Sequence, residues 1–157
     1  MQTNEAYYLQ LREQARSLFA QNPRVPCPYF GDDVVLNAEG LHHLRYSAQR
    51  ERSKDEQILK LHLLPRALEV IRKSGTIQEY RRIWQAIGKP AARDGARAMK
   101  EVEYWGLVAI TGKKPKKIRV ILRRIGTGNV TLWSVMRGGK IQRDGSQRLA
   151  PHGLEDD

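Results

Sequence analysis

The hydrophobic pattern of the chain changes near residue 100 and divides it into a helical part and a strand part. Between residues 4 and 87, apolar side chains recur mostly every three or four positions, which is typical of amphipathic helices. From Val102 onward they stand in short runs rich in β-branched and aromatic residues, which is typical of strands. This order predicts an α+β domain with N-terminal helices packed on a C-terminal antiparallel β-meander, one sheet face remaining free.

An apolar stripe near the N-terminus predicts the first helix, over residues 4–21. Tyr8, Leu11 and Ala15 follow one another at three- and four-residue spacing. The next segment, up to Pro28, contains three prolines and cannot continue a helix, and a short apolar run at residues 34–36 is a candidate edge strand. Asn37 is then a reasonable N-cap for a second helix, which carries His42 and His43.

Two capping boxes predict the remaining helices. Ser53 and Glu56 begin a helical period that reaches Gly75, and Pro65 should kink this helix or split it in two. A second capping box favours a further helix over residues 76–87, although a strand is an alternative because the segment is short. The helical part of the domain is therefore expected to end near residue 87.

Three apolar runs after the loop at residues 88–100 predict consecutive strands. The runs cover residues 102–110, 118–125 and 130–136. Short connections between neighbouring strands produce an antiparallel meander. Because residues 137–157 contain few apolar anchors, we expect them to form a flexible tail behind a single domain at residues 1–136.

Cysteine content and hydropathy indicate a compartment. Cys27 is the single cysteine and cannot pair within the chain, so we expect a reducing cytoplasm and a thiol that serves as a small buried apolar group. Charged residues interrupt the apolar positions of the first 21 residues, unlike in a signal peptide, and no run approaches the ~20 apolar residues of a membrane span. A membrane partner is therefore not expected.

The formal net charge of +11 resides almost entirely in one segment. Residues 111–148 contain eleven Lys and Arg against one acid, Asp144, which leaves about +1 for the rest of the chain. Phosphate backbones are the commonest use of such a concentration, whereas a solvated face kept for solubility is the alternative. The candidate nucleic-acid contacts are Lys113, Lys114, Lys116, Lys117, Arg124, Thr131, Trp133, Arg137 and Lys140.

Metal and nucleotide-loop signals are weak. One Cys and four scattered His provide no recognised ligand spacing, and neighbouring His42 and His43 point about 100° apart on a helix. The acids form no two-carboxylate set. Gly126-Thr127-Gly128 stands between two strands, whereas a phosphate-binding loop connects a strand to a helix. We therefore expect neither a metal nor a cofactor.

The predicted hairpin places arginines on a strand face, but its register stays open. Arg119 and Arg123 share one face of their strand. A two-residue turn at Thr127 and Gly128 sets Arg123 opposite Leu132 and Ile121 opposite Ser134. This register groups Arg119, Arg123 and Ser134, and it places Arg124 with Thr131 and Trp133 on the other face. A loop longer by one residue would exchange these partners.

His43 supplies a candidate acid or base. Its helix must turn an apolar side to the sheet, so the imidazole is expected at the helix–sheet border, near Arg119 or Arg123 and the hydroxyl of Ser134 or Thr131. Such a set suffices for metal-free RNA cleavage, because the base removes the 2′-OH proton and a guanidinium stabilises the phosphate charge. The alternative is that His42 and His43 are ordinary polar helix residues.

This order of elements resembles the superfamily that groups barnase, EndoU, colicin nucleases and RelE-like toxins. The resemblance covers roughly residues 34–136 and rests on the segments LHHLR at 41–45, IRVILRR at 118–124 and VTLWSVM at 130–136. It implies a small metal-independent ribonuclease. The implied roles are general acid or base for His43, phosphate ligand for Arg119 or Arg123, and polar substrate contact for Ser134 or Thr131.

Three functional hypotheses follow. The first is a metal-independent endoribonuclease of toxin or mobile-element type, with RNA favoured over DNA as the substrate. The second is a basic protein that binds nucleic acid without cleaving it, and the third is an accessory protein that binds an acidic inhibitor or partner protein. In any of them, the acidic end at Glu155 to Asp157 would screen the basic surface of the free protein.

Overall fold

The structure is a computed structural model that describes residues 2–47 and 50–138. Its helices are α1 (Gln2–Gln21), α2 (Ala38–His43) and α3 (Lys54–Lys73). Its strands are β1 (Arg24–Cys27), β2 (Asp32–Val35), β3 (Glu79–Ile87), β4 (Ala98–Thr111), β5 (Lys116–Ile125) and β6 (Thr131–Arg137). Within the described ranges, no helix is both long enough and apolar enough to cross a membrane.

The six strands form one mixed sheet in the order β1-β2-β6-β5-β4-β3. Strands β4, β5 and β6 are the antiparallel meander that the sequence predicts, and β3 adds a further antiparallel strand beside β4. The β1–β2 hairpin joins the other edge through a parallel pairing of Val35 with Thr131. With helices first and most of the sheet last, the protein belongs to the predicted α+β class.

The main core lies between the sheet and helices α1 and α3. Tyr8 and Leu11 of α1 and Leu64 of α3 belong to the same buried cluster as Val120 and Leu122 of β5. Ile121 stands between those two β5 residues and therefore faces the other side of the sheet. There it joins a second buried cluster, whose other members are Val102, Tyr104 and Trp133.

The expectation of a helix over residues 76–87 was wrong, because this segment is strand β3. Ile83, Gln85 and Ile87 are half-buried, whereas Trp84 and Ala86 between them are exposed. This two-residue period fits a strand, and nine consecutive residues pair with β4. Pairing along the whole segment outweighs the local capping-box signal.

The expected break at Pro65 does not occur either, because α3 is one helix from Lys54 to Lys73. Leu61 and Leu64 before the proline and Leu68 after it are all buried in the main core. Burial on both sides stabilises the continuous helix against the missing backbone hydrogen bond.

Other element boundaries also differ from the expectations. β1 lies in the proline-rich segment for which no strand was predicted, and β4 begins at Ala98, four residues before the predicted start. Arg137 ends β6 and thus belongs to the sheet, not to a tail. The expected tail at residues 139–157, with Lys140 and the acidic end, lies outside the described residues.

Candidate functional site

Helix α2 is positioned directly against β6. A Cβ atom at Gly40 would lie 2.2 Å from the backbone oxygen of Leu132, so only glycine permits this approach. The Asn37 side chain caps the helix by accepting a hydrogen bond from the Gly40 amide at 2.9 Å. His43, the last residue of α2, is consequently buried at the helix–sheet border, and its ring stacks on Trp133 at 3.9 Å between centroids.

Side chains from four strands and α2 connect across the second sheet face. The Tyr104 hydroxyl donates to Gln85 Oε1 at 2.7 Å, and Tyr104 pairs with Arg123 across β4 and β5. The Arg123 guanidinium carbon lies 3.5 Å from the centroid of the Trp133 ring, on which His43 stacks. We refer to these five residues as the cross-sheet row.

Arg52 fixes the protonation pattern of His43. Its guanidinium approaches His43 Nε2 at 3.0 Å, and its Nε donates to the His43 backbone oxygen at 3.0 Å. Because a guanidinium carries only donors, Nε2 has to accept, and the proton of the neutral imidazole therefore sits on Nδ1.

Burial also keeps His43 uncharged. The pKa of His43 is lowered to about 3. Desolvation is the largest cause, and the neighbouring cations Arg52, Lys60 and Arg123 add to it. The imidazole is therefore neutral at pH 7, which is the form that accepts a proton.

Lys60 brings the Ser134 hydroxyl into the same cluster. Its Nζ donates to Ser134 Oγ at 2.8 Å and to the Val135 backbone oxygen at 3.3 Å. Sequence reasoning missed Lys60 and Arg52. Lys60 did leave a signal, because it stands four residues before Leu64, on the stripe of α3 that faces the core. Arg52 left no such signal in the sequence, because it precedes the N-cap Ser53 and reaches His43 only in the folded chain.

Arg123 is a buried cation with an exposed partner. Its Nη2 lies 3.1 Å from Glu39 Oε1, and Arg123 is 5% exposed whereas the Glu39 side chain is 61% exposed. Arg123 Nε and Trp133 Nε1 have no hydrogen-bond partner among the described residues. An unsatisfied buried donor costs about 1–3 kcal/mol.

An open cleft of about 280 Å³ adjoins the cross-sheet row. Helix α2 and the residues after it form one wall, and the end of β3 forms the other. His42 stacks on Tyr46 in the first wall, with ring centroids 4.4 Å apart. The lining of the cleft includes Glu39, His42, Tyr46, Gln85, Arg123 and Trp133.

The β5–β6 hairpin contains both registers that the sequence left open. Ile121 pairs with Ser134, as a two-residue turn requires, whereas Arg123 pairs with Thr131, one position away from that register. The change occurs at a bulge that leaves Trp133 without a partner in the ladder. The bulge is the reason that Trp133 stacks with Arg123.

The remaining hairpin candidates are held in other contacts. Arg119 donates to both carboxylate oxygens of Glu79, at 2.5 and 2.9 Å, and is not among the residues of the cleft. Arg124 bonds Glu103 and lies over Trp105, so its expected place beside Thr131 and Trp133 was wrong. The Thr131 hydroxyl donates to the Arg123 backbone oxygen at 3.1 Å.

The predicted phosphate contacts lie at the opposite end of β5 from Arg123. Lys113, Lys114 and Lys116 are exposed in and beside the β4–β5 turn, and Lys117 is half-buried. Arg137 is exposed on β6, where it pairs with Ile118. These lysines and Arg137 thus lie at one end of the sheet, outside the cleft, whereas Arg123 of the same basic segment lines the cleft.

Trp133, which was predicted to contact nucleic acid, is buried, and a different tryptophan is exposed. Trp133 and Trp105 are buried, whereas Trp84 on β3 is 69% exposed. Exposure of Trp84 follows from β3 being a strand, which the sequence did not favour.

The described residues contain no cluster of three or more His, Cys, Asp or Glu side chains that could hold a metal ion. Comparison with known proteins identifies no relative: no protein-family model, no curated protein and no solved structure matches this chain.

Proposed function

We propose that this protein binds RNA and cleaves it without a metal ion. The observation that carries the proposal is the buried cluster in which His43 lies among Arg52, Lys60 and Arg123, with the Ser134 hydroxyl bonded to Lys60. An imidazole, a hydroxyl and several cations are the groups that metal-free cleavage next to a 2′-OH uses.

The positive charge of the cluster supports the proposal that it binds a substrate phosphate. Three buried cations are expensive to desolvate, with an effective penalty of several kcal/mol per ion. Glu39, which pairs with Arg123, is exposed and can rotate away without breaking the core. A substrate phosphate would take its place on Arg123 and stabilise the same guanidinium.

His43 would become an effective proton acceptor only with an anion beside it, because its pKa of about 3 makes it a weak base in the free protein. At neutral pH its imidazole is uncharged, and Nε2 holds the lone pair that Arg52 now occupies. A phosphate would compete for the Arg52 guanidinium, release this lone pair and raise the pKa of His43 by its negative charge. The base would then accept the 2′-OH proton, and the 2′ oxygen would bond to phosphorus while Arg123 stabilises the pentacoordinate phosphate. The P–O5′ bond would break, and the departing 5′ oxygen would take the proton back from His43.

One observation favours a second candidate, a nucleic-acid-binding protein without catalysis. His43 is 4% exposed and the Ser134 hydroxyl is fully buried, so both are shielded from substrate in the free protein. In this candidate the cluster serves to position α2 and β6, and RNA is recovered intact.

The decisive measurement is cleavage of a labelled single-stranded RNA in EDTA, with the product ends identified. Cleavage through the 2′-OH leaves 2′,3′-cyclic phosphate ends. Because general base catalysis contributes about 10²–10⁴-fold, His43→Ala and Arg123→Ala should each lose at least about 100-fold in rate. Full activity in both variants would remove the proposed site, and tight binding of uncleaved RNA by the unaltered protein would establish the second candidate.

Matched controls separate chemistry from folding. His62→Ala and Arg72→Ala remove the same side-chain types from exposed positions of α3 and should keep full activity. His43→Asn, which retains a polar side chain in the cavity beside Trp133, provides a second variant if His43→Ala unfolds. Circular dichroism and urea unfolding establish that each variant folds.

A further inference from the structure

We propose that the cleft between α2 and β3 is a nucleobase subsite, in which Tyr46 stacks on the base and Gln85 selects bases with a carbonyl oxygen. This inference rests on the proposed function, since it assumes that an RNA phosphate occupies Arg123. Beyond the proposed function, it specifies that the cleft recognises the base of a nucleotide and that Tyr46 and Gln85 do so.

The stacking surface is held in place before any ligand arrives. Tyr46 forms an isolated β-bridge with Glu51, and its ring lies parallel to that of His42, with an interplanar angle of 11°. The Arg45 guanidinium carbon lies 5.2 Å from the Tyr46 ring centroid. Because His42 covers one face of the Tyr46 ring, a base would stack on the opposite face, where stacking and cation–π attraction both act on its ring.

The opposite wall carries a fixed amide. Tyr104 is fully buried and donates to Gln85 Oε1 at 2.7 Å, so the oxygen side of this amide is occupied. Among the described residues, none accepts a hydrogen bond from Gln85 Nε2. The two N–H groups of this nitrogen are therefore available to a base.

The chemistry of the amide sets the selectivity. Free N–H donors match the carbonyl oxygens of uracil, cytosine and guanine. Adenine offers ring-nitrogen acceptors only, and its neighbouring amino group finds no acceptor here because Tyr104 occupies Gln85 Oε1. Arg123 at the base of the same cleft supplies the positive charge for the adjoining phosphate. The cleft fits a single nucleotide of an RNA strand. Arg123 would bind its phosphate, Tyr46 would stack on its base, and the Gln85 amide opposite would donate to that base.

Binding of uncleavable RNA tests the subsite without depending on catalysis. Fluorescence anisotropy would compare 2′-fluoro oligonucleotides of uracil and of adenine, which have no 2′-OH to react. The unaltered protein should prefer the uracil strand. Tyr46→Ala should weaken its binding about tenfold, as expected for the loss of one base stack, whereas Tyr46→Phe keeps the ring and should bind normally.

Gln85→Glu provides the selectivity test. A carboxylate repels a carbonyl oxygen but accepts from the amino group of adenine, so the uracil-to-adenine preference should fall about tenfold or reverse. Gln78→Glu, the same change at an exposed position before β3, should leave the preference unaltered.

The outcomes distinguish this subsite from the proposed function. If the unaltered protein binds and cleaves RNA but Tyr46→Ala and Gln85→Glu bind both strands as it does, the subsite is wrong and the proposed function stands. If the unaltered protein neither binds nor cleaves RNA, the proposed function fails and the subsite fails with it. Weaker binding in Tyr46→Ala together with altered preference in Gln85→Glu supports the subsite, even when no cleavage is seen.

Discussion

At the scale of single residues, the surroundings of His43 determine what its imidazole can do. Arg52 occupies the acceptor nitrogen, and two further cations discourage a positive charge on the ring. Stacking on Trp133 then holds the neutral ring in one orientation. These contacts keep the imidazole of His43 neutral and hold its ring in place.

This environment predicts a pH dependence of stability. Unfolded His43 takes up a proton near pH 6.5, whereas folded His43 stays neutral down to about pH 3. Between these values the unfolded state binds more protons, so the free energy of unfolding should fall with decreasing pH, by at most about 1.4 kcal/mol per pH unit from this group. The contribution is fully present above pH 6.5 and decreases below it.

Urea unfolding between about pH 7 and about pH 4 checks this sign. The free energy of unfolding of the natural protein should decline more steeply than that of His43→Asn. Exposed His62 provides the control, and His62→Asn should keep the natural slope. Equal slopes in the natural protein and His43→Asn would show that His43 is not held neutral by the fold.

The sequence indicates some members of this site and conceals others for physical reasons. His43 and Arg123 were candidates because residue type and strand alternation point to them, and both adjoin the cleft. The partners of Ser134 and His43 were not foreseeable, since Lys60 and Arg52 reach them only through tertiary packing. Arg119 shares a strand face with Arg123 but bonds Glu79, a contact that depends on β3.

At the scale of elements, the site depends on how closely α2 approaches β6. The contact of Gly40 with the Leu132 backbone sets the distance, and the bulge in β6 turns Trp133 toward His43. Neither feature follows from local propensity, because a bulge shifts register without leaving a distinctive residue pattern. The same limit explains β3, whose capping-box residues suggest a helix although pairing with β4 decides the outcome.

Gly40→Ala tests this spacing. The added methyl group would meet Leu132 O, so α2 has to move and the His43–Trp133 stack should open. Overpacking of this kind destabilises by about 1–3 kcal/mol. Urea unfolding should show a lower free energy of unfolding, and the RNA cleavage rate should also decrease. Gly75→Ala is the matched control, because a Cβ there has no atom within 4 Å; equal behaviour of the two variants would contradict the proposed role of the close contact.

In the whole molecule, the exposed lysines of the β4–β5 turn lie apart from the buried cations around His43. Lys116, the first residue of β5, is seven residues from Arg123, which corresponds to about 23 Å in an extended strand, and Lys113 and Lys114 lie in the turn before it. This distance places them outside the cleft but on the same sheet. We therefore expect the turn to attract the RNA backbone and the cluster around His43 to act on one phosphate of it.

The salt dependence of RNA binding distinguishes a located contact from a general effect of net charge. Each phosphate contact that is lost should reduce the slope of log affinity against log salt by about 0.7 for a single strand. Lys113→Gln with Lys114→Gln should therefore weaken binding and reduce the slope by about 1.4 if both lysines contact phosphate. Arg72→Gln with Lys73→Gln removes the same charge from exposed positions at the end of α3 and should change the slope much less. Equal losses in the two double variants would mean that net charge, and not the β4–β5 turn, governs the attraction of RNA.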